Sequence, residues 1–211
     1  EEPFDRFVEV INDLLRQRQR LLLPAENHRV QALVHGNRER TDQRFASRRP
    51  DVLTFSTDIL QEDITLAGPV VADLMVSIST TDADFVVKLI DVFPDGFRYD
   101  TPPPSGEAGR GQYPMGGYQM LVRGEIMRGR YRNSFEKPEA FTPNKVSQVK
   151  YTLPDVAHTF KKGHKLMIQI QSSWFPLADR NPQKFVDIYH CDDSDFQKAT
   201  IRIYHDGANA S

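Results

Sequence analysis

The sequence predicts an all-β fold, an antiparallel sandwich or jelly roll with one amphipathic helix in front of it. Three observations carry this prediction. From Asp51 onward, apolar residues recur at every second position in one run after another. Short turn signals separate those runs. No helical pattern alternates with the strands, as a parallel βαβ arrangement would require.

The N-terminal segment differs from the rest. Phe4, Phe7, Val8, Ile11, Leu14 and Leu15 recur at three- and four-residue spacing, which makes one apolar helix face. Pro3 stands where a first helical turn tolerates it, and Pro24 ends the run. The spacing predicts a helix over 4–22, so the chain divides into a helical segment, 1–23, and a sandwich, 24–211. The helix either covers the sandwich or serves as an oligomer contact. Residues 24–50 are polar and irregular, with Arg38, Arg40, Arg44, Arg48 and Arg49 forming a charged stretch that suits a solvated face.

The strands follow. Leu74, Val76 and Ile78 alternate with Asp73, Met75 and Ser77, and Val149, Tyr151 and Leu153 alternate with Lys150 and Thr152. Leu166, Ile168 and Ile170 alternate with Met167, Gln169 and Gln171, and Ile201 and Ile203 with Arg202 and Tyr204. Each run predicts one buried and one polar face. Phe85–Val92 is apolar on both faces and is expected at the centre of a sheet, or covered on its outer side by a helix or another domain. Turns are expected at Ala67-Gly68-Pro69, Pro94-Asp95-Gly96, Thr142-Pro143-Asn144 and Lys162-Gly163. A Pro- and Gly-rich stretch over 100–117 reads as a long loop, and 179–199 as a connection with some helical turns.

Composition narrows the function. Net charge is −2, with 27 basic and 29 acidic residues, so there is no basic footprint for nucleic acid or an anionic membrane. No apolar run approaches the roughly 20 residues of a membrane-spanning helix. Cys191 is the single cysteine, which excludes an internal disulfide. The chain opens Glu1-Glu2-Pro3-Phe4, with neither an initiator Met nor a basic leader, and reads as a processed or partial product. These features fit a cytoplasmic, periplasmic or secreted setting alike.

The search for chemistry is mostly negative. No GxSxG elbow is present, and Ser105 and Ser172-Ser173 lack its context. His28, His35, His158, His164, His190 and His205 show no HxxxH or HExxH spacing and read as surface or turn residues. No metal site and no cofactor are expected. Asp82, Asp84 and Asp91, and the run Asp192-Asp193-Ser194-Asp195, suit turns and caps; acid–base chemistry or calcium is the sharper alternative. Trp174-Phe175-Pro176 at a strand end fits core, domain interface or a sugar platform.

Four ordered stretches carry a resemblance: Thr81–Gly96, Arg123–Arg132, Phe160–Ile170, and Ser172–Pro176 with Asp179-Arg180-Asn181-Pro182. Asp42–Phe45 and Arg49–Leu53 agree as the lead-in. Together, over about residues 24–210, they resemble the C-terminal domain shared by X-Pro dipeptidyl-peptidases, bacterial cocaine esterases, α-amino-acid ester hydrolases and glutaryl-cephalosporin acylases. Segment 10–23 has no counterpart in that resemblance, and the chain ends at Ser211 where a last strand is expected.

The resemblance implies a jelly-roll (galactose-binding-like) β-sandwich with no catalytic residue of its own. In that architecture an α/β-hydrolase domain carries a Ser-His-Asp triad, hydrolyses acyl esters, amides or X-Pro dipeptides, and is the expected partner, in cis or in trans. This domain would pack beside the active-site cleft and shape it, with a homo-oligomer as a further expectation. The resemblance places Leu33 and His35 near the cleft, and Trp174, Phe175, Asp179 and Arg180 at the domain interface. Arg180 would pair with Asp179 or with a carboxylate across the interface, or Asp179–Pro182 simply fixes a turn. The alternative function is a free-standing carbohydrate-binding module using Trp174, Tyr113 and Tyr118.

Overall fold

The computed structural model describes residues 23–24, 42–98 and 115–205. Eight strands run through them: β1 (Leu23–Pro24), β2 (Val52–Ser56), β3 (Ile64–Ile78), β4 (Asp84–Val92), β5 (Gln119–Arg128), β6 (Ser147–Phe160), β7 (Lys165–Gln171) and β8 (Thr200–Tyr204). Their pairing is nested. β4 pairs with β5, β3 with β6, β2 with β7 and β1 with β8, all antiparallel. That is one long hairpin whose two arms hold four strands each. Rolled up, it adds the contacts β3–β8 and β4–β7 and splits into two sheets, of order β1-β8-β3-β6 and β2-β7-β4-β5. This is the jelly-roll order. The predicted helix over 4–22 and the loop over 100–114 lie outside the described residues.

The core lies between the two sheets. One contributes Leu66, Leu74, Val76, Ile78, Val149, Tyr151, Leu153, Ile201 and Ile203; the other contributes Phe55, Phe85, Val87, Leu89, Leu166, Ile168 and Ile170. The period-two pattern follows from this geometry. Alternate Cβ atoms of each strand point inward and are removed from water. The outer positions of β3 and β6, such as Val71, Lys150 and Thr152, remain exposed. The Tyr151 hydroxyl, carried into the core on its ring, donates to the Phe85 carbonyl at 3.0 Å, so its burial leaves no polar group unpaired.

Turns form at Asp95-Gly96, Pro143-Asn144 and Lys162-Gly163, as expected. The signal at Ala67-Gly68-Pro69 does not end a strand. It sits inside β3, where the register shifts between Gly68 and Val70. Gly68 takes φ 114°, and Pro69, which has no N–H to give, falls on the irregularity. A bulge accommodates both residues, so a turn-like dipeptide bends a 15-residue strand instead of terminating it.

The outer face of the β2-β7-β4-β5 sheet is the second departure. β4 is central and buried on both faces, as its sequence requires. β7 is buried on both faces too, although its outer residues include Gln169 and Gln171. The reason is a cover. The chain at Gln43 crosses this face, and Gln43 accepts at its side-chain oxygen from Lys88 Nζ (3.0 Å) and at its carbonyl from Gln169 Nε2 (3.3 Å). A polar outer face does not imply solvent when another segment supplies its hydrogen bonds.

The turn after β5 is equally tight. An added Cβ on Gly129 would lie 2.6 Å from the Ala83 carbonyl oxygen and 2.5 Å from the Phe141 ring. Gly129→Ala is therefore expected to lower unfolding stability by about 1–3 kcal/mol through overpacking. Urea denaturation of the two proteins measures it, and an unchanged midpoint would contradict the packing described.

Candidate functional site

The segment that leaves β7 at Gln171 and returns to β8 at Thr200 carries the family-like residues 172–182. Two anchors hold it against the outer sheet face. The first is Trp174, which is buried. Its ring lies 4.7 Å from Lys88 Nζ, and Gly124 leaves the room it occupies, since a Cβ there would meet the ring at 2.8 Å. Lys88 projects from the middle of the buried strand β4, and a cation over an indole face is favourable where water is excluded.

The second anchor is a buried polar knot. Asp82 and Asp84 stand two residues apart at the entry to β4, fully buried. Asn181 Nδ2 donates to both, at 3.0 Å to Asp82 Oδ2 and 2.8 Å to Asp84 Oδ1. Arg130 donates Nε (2.8 Å) and Nη2 (2.6 Å) to Asp82 Oδ2 and Nη1 (2.8 Å) to the Val186 carbonyl. Arg128 reaches Asp84 Oδ2 at 3.3 Å. Burial pushes the Asp84 carboxyl up to about 7, against the opposing pull of Asn181 and Arg128 and with a further push from Asp82. The cations opposite these carboxylates are arginines, so their role is to pin a segment to a sheet.

Pinned in this way, the segment presents apolar side chains outward. Leu177 is 49% exposed, Phe185 38% and Tyr189 79%. Arg180 packs by its guanidinium on Phe196 (4.7 Å) and more distantly on Phe175 (6.0 Å). It forms no ion pair with Asp179, which is exposed. Leu33 and His35 lie outside the described residues. Of the remaining candidates, Trp174 is sheet cover, while Phe175, Asp179 and Arg180 are at least partly open to solvent. Trp174 is thus not displayed as a sugar platform. Tyr118 packs edge-on against Phe93, and Tyr113 lies outside the described residues.

Two histidines depart from the surface reading. His164 and His205 are buried. His158 Nε2 lies 2.9 Å from Asp91 Oδ2 and His164 Nδ1 2.8 Å from Asp91 Oδ1, so one buried carboxylate ties the end of β6 to the turn before β7. Among the described residues no serine or cysteine is hydrogen-bonded to a histidine. Ser194 bonds Asp192, and Cys191 Sγ donates to the Ile188 carbonyl. Asp192 caps the short 3₁₀ turn Asp193–Asp195 in a reciprocal capping box, the turn-forming reading of that acidic run. Arg130 and Asn181 were the partners that sequence reasoning missed. The available signal was Asp82 and Asp84 on one face of a buried strand, which demands donors from elsewhere.

Comparison with known proteins agrees with this geometry. The profile of the X-Pro dipeptidyl-peptidase C-terminal non-catalytic domain matches residues 9–211. The match takes in the whole of segment 10–23, for which the sequence resemblance offered no counterpart. Cocaine esterase from Rhodococcus sp. (strain MB1 Bresler) is 33% identical over 147 residues, 70% of this chain and 22% of that protein. An aminopeptidase from a marine sediment Thaumarchaeota archaeon superposes with TM-score 0.69 and 44% identity, over 78% of this chain and 25% of its own. An α-amino acid ester hydrolase superposes with TM-score 0.68 and 45% identity, over the same 78% and 25%. The chain therefore spans about a quarter of the length of the relatives it matches.

Proposed function

The chain belongs to the family of X-Pro dipeptidyl-peptidase C-terminal non-catalytic domains, and from that premise we propose that its 172–190 segment docks the jelly roll onto an α/β-hydrolase catalytic domain and helps wall the substrate cleft. The parent activity in this reading is serine-dependent hydrolysis of acyl esters, amides or X-Pro dipeptides, in keeping with the names of the relatives. The observation that carries it is the segment's construction. Its polar and indole groups are buried in anchors on this domain's own sheet, while Leu177, Phe185 and Tyr189 are left facing out. A free-standing domain gains nothing from rigidly displaying apolar side chains; a docked one removes them from water.

The test is made in the full-length hydrolase. Leu177→Ser and Tyr189→Ser together are expected to weaken the interdomain contact by on the order of 2 kcal/mol or more, with Phe185 kept because its ring lies 5.0 Å from the Arg130 guanidinium of this domain's own knot. Calorimetric unfolding then separates into two transitions, and ester or amide turnover falls while this domain keeps its own midpoint. Full turnover with a single unchanged transition would rule the surface out. The chain by itself is expected to leave a chromogenic ester intact; turnover abolished by a serine-directed phosphonate would overturn the non-catalytic reading.

A further inference from the structure

We propose, on the basis of the docking reading, that Arg180 is the charged anchor of that surface and pairs with a carboxylate side chain on the catalytic domain. Arg180 is firmly held. Its neighbour Asn181 is bonded to Asp82 and Asp84, which fixes the backbone here against the sheet. The Arg180 Cζ lies 4.7 Å from the Phe196 ring and 6.0 Å from that of Phe175. Short turns place both rings. Ala178 N donates to the Trp174 carbonyl at 3.1 Å, closing the turn that carries Phe175. Phe196 follows the capped turn Asp193–Asp195, which Lys184 Nζ holds through Asp195 Oδ1 at 2.8 Å. Gln197 N then donates to the Pro182 carbonyl at 3.1 Å, bringing Phe196 beside the pinned segment.

So placed, the guanidinium is half-buried, and none of its N–H groups has an acceptor among the described residues. The arginines of the knot and its turn differ. Arg128 pairs with Asp84 and Arg130 with Asp82, while Arg132 donates to the Gly129, Glu139 and Ala140 carbonyls. Carboxylates of the same segment are engaged elsewhere. Asp187 accepts from His190 and Tyr189 N, Asp192 from Ser194, and Asp195 from Lys184. Asp179 is exposed and leaves its neighbour unpaired. Leu177 stands three residues before Arg180, so a partner that covers Leu177 also strips water from the guanidinium. A dehydrated cation with only rings beside it costs more than those rings return. A carboxylate opposite it accepts the planar fork through two parallel bonds and removes that cost.

The test uses the full-length protein. Arg180→Glu is expected to weaken docking about 30-fold or more. Calorimetric unfolding then divides into two transitions, and ester or amide turnover falls. Replacing one catalytic-domain Asp or Glu by Arg in that background should restore the single transition and the turnover. Arg180→Gln should leave the jelly roll's own midpoint in place; a lowered midpoint would make the arginine a packing residue of the Phe196 contact and overturn the pairing. Disruption by Arg180→Glu that no reversed charge repairs would overturn it as well. An unchanged single transition in Arg180→Glu, where Leu177→Ser with Tyr189→Ser does split it, would remove the ion pair and leave the docking surface standing. An unchanged transition in both variants would remove docking itself, and the pair with it.

Discussion

Arg130→Met is expected to cost this domain about 3–5 kcal/mol of unfolding stability, the largest single effect among the polar residues. The guanidinium sits 2.6 Å from Asp82, whose side chain has no exposure, and its third donor holds the Val186 carbonyl. Removing it leaves a buried carboxylate facing only one amide, together with an orphaned carbonyl. The loss therefore reflects the charge left behind more than the intrinsic strength of the pair. Asp82→Asn combined with Arg130→Met should recover part of it, because the stranded charge is then gone. Urea denaturation followed through Trp174, the chain's single tryptophan, measures both proteins. A loss below about 1 kcal/mol for Arg130→Met would mean that the knot is hydrated in solution.

Trp174→Ala is the second large effect, at about 3–5 kcal/mol. The indole fills the space above Gly124 and covers the ammonium of Lys88. Without it, water reaches the Lys88, Gln169 and Gln171 face that now relies on protein partners. Trp174→Phe should lose less, since most of the ring area remains. Circular dichroism is the suitable signal, because the fluorophore is gone. The distinction matters for function. A cleft-lining tryptophan would change KM for a bulky acyl substrate with stability intact, whereas a sheet-covering one changes stability with substrate preference intact. Under the proposed function, the structure predicts the second pattern in the full-length protein.

Both effects come from positions whose importance depends on partners far along the chain. Arg130 is 48 residues from Asp82, and Asn181 is 99 residues from it. No local pattern announces such a meeting. Asp82 and Asp84 suited turn-forming or calcium-binding as well as anything else until their donors were placed. The same holds for β7. Its Gln169 and Gln171 alternate like solvent-facing residues, yet both are buried, Gln169 donating to the Gln43 carbonyl and Gln171 to the Ser173 carbonyl. At Gly68-Pro69 a turn-like dipeptide was absorbed as a bulge, because the flanking residues of β3 keep their pairing with β6 on either side.

What the sequence determined by itself is what depends on local periodicity and chain-wide composition. The strands, their inward faces, the central place of Phe85–Val92, three of the four turns and the absence of a nucleophile elbow were all readable, because side-chain alternation and turn chemistry act over a few residues. Its ordered stretches also resembled the non-catalytic domain family that the comparisons show. Tertiary structure alone decided which polar groups are buried, which arginine meets which aspartate, and that Trp174 faces its own sheet while Leu177, Phe185 and Tyr189 face outward. The physical reason is that burying a charge or an amide is tolerable only when a partner supplies its hydrogen bonds, and in a nested hairpin rolled into two sheets those partners come from remote strands and loops.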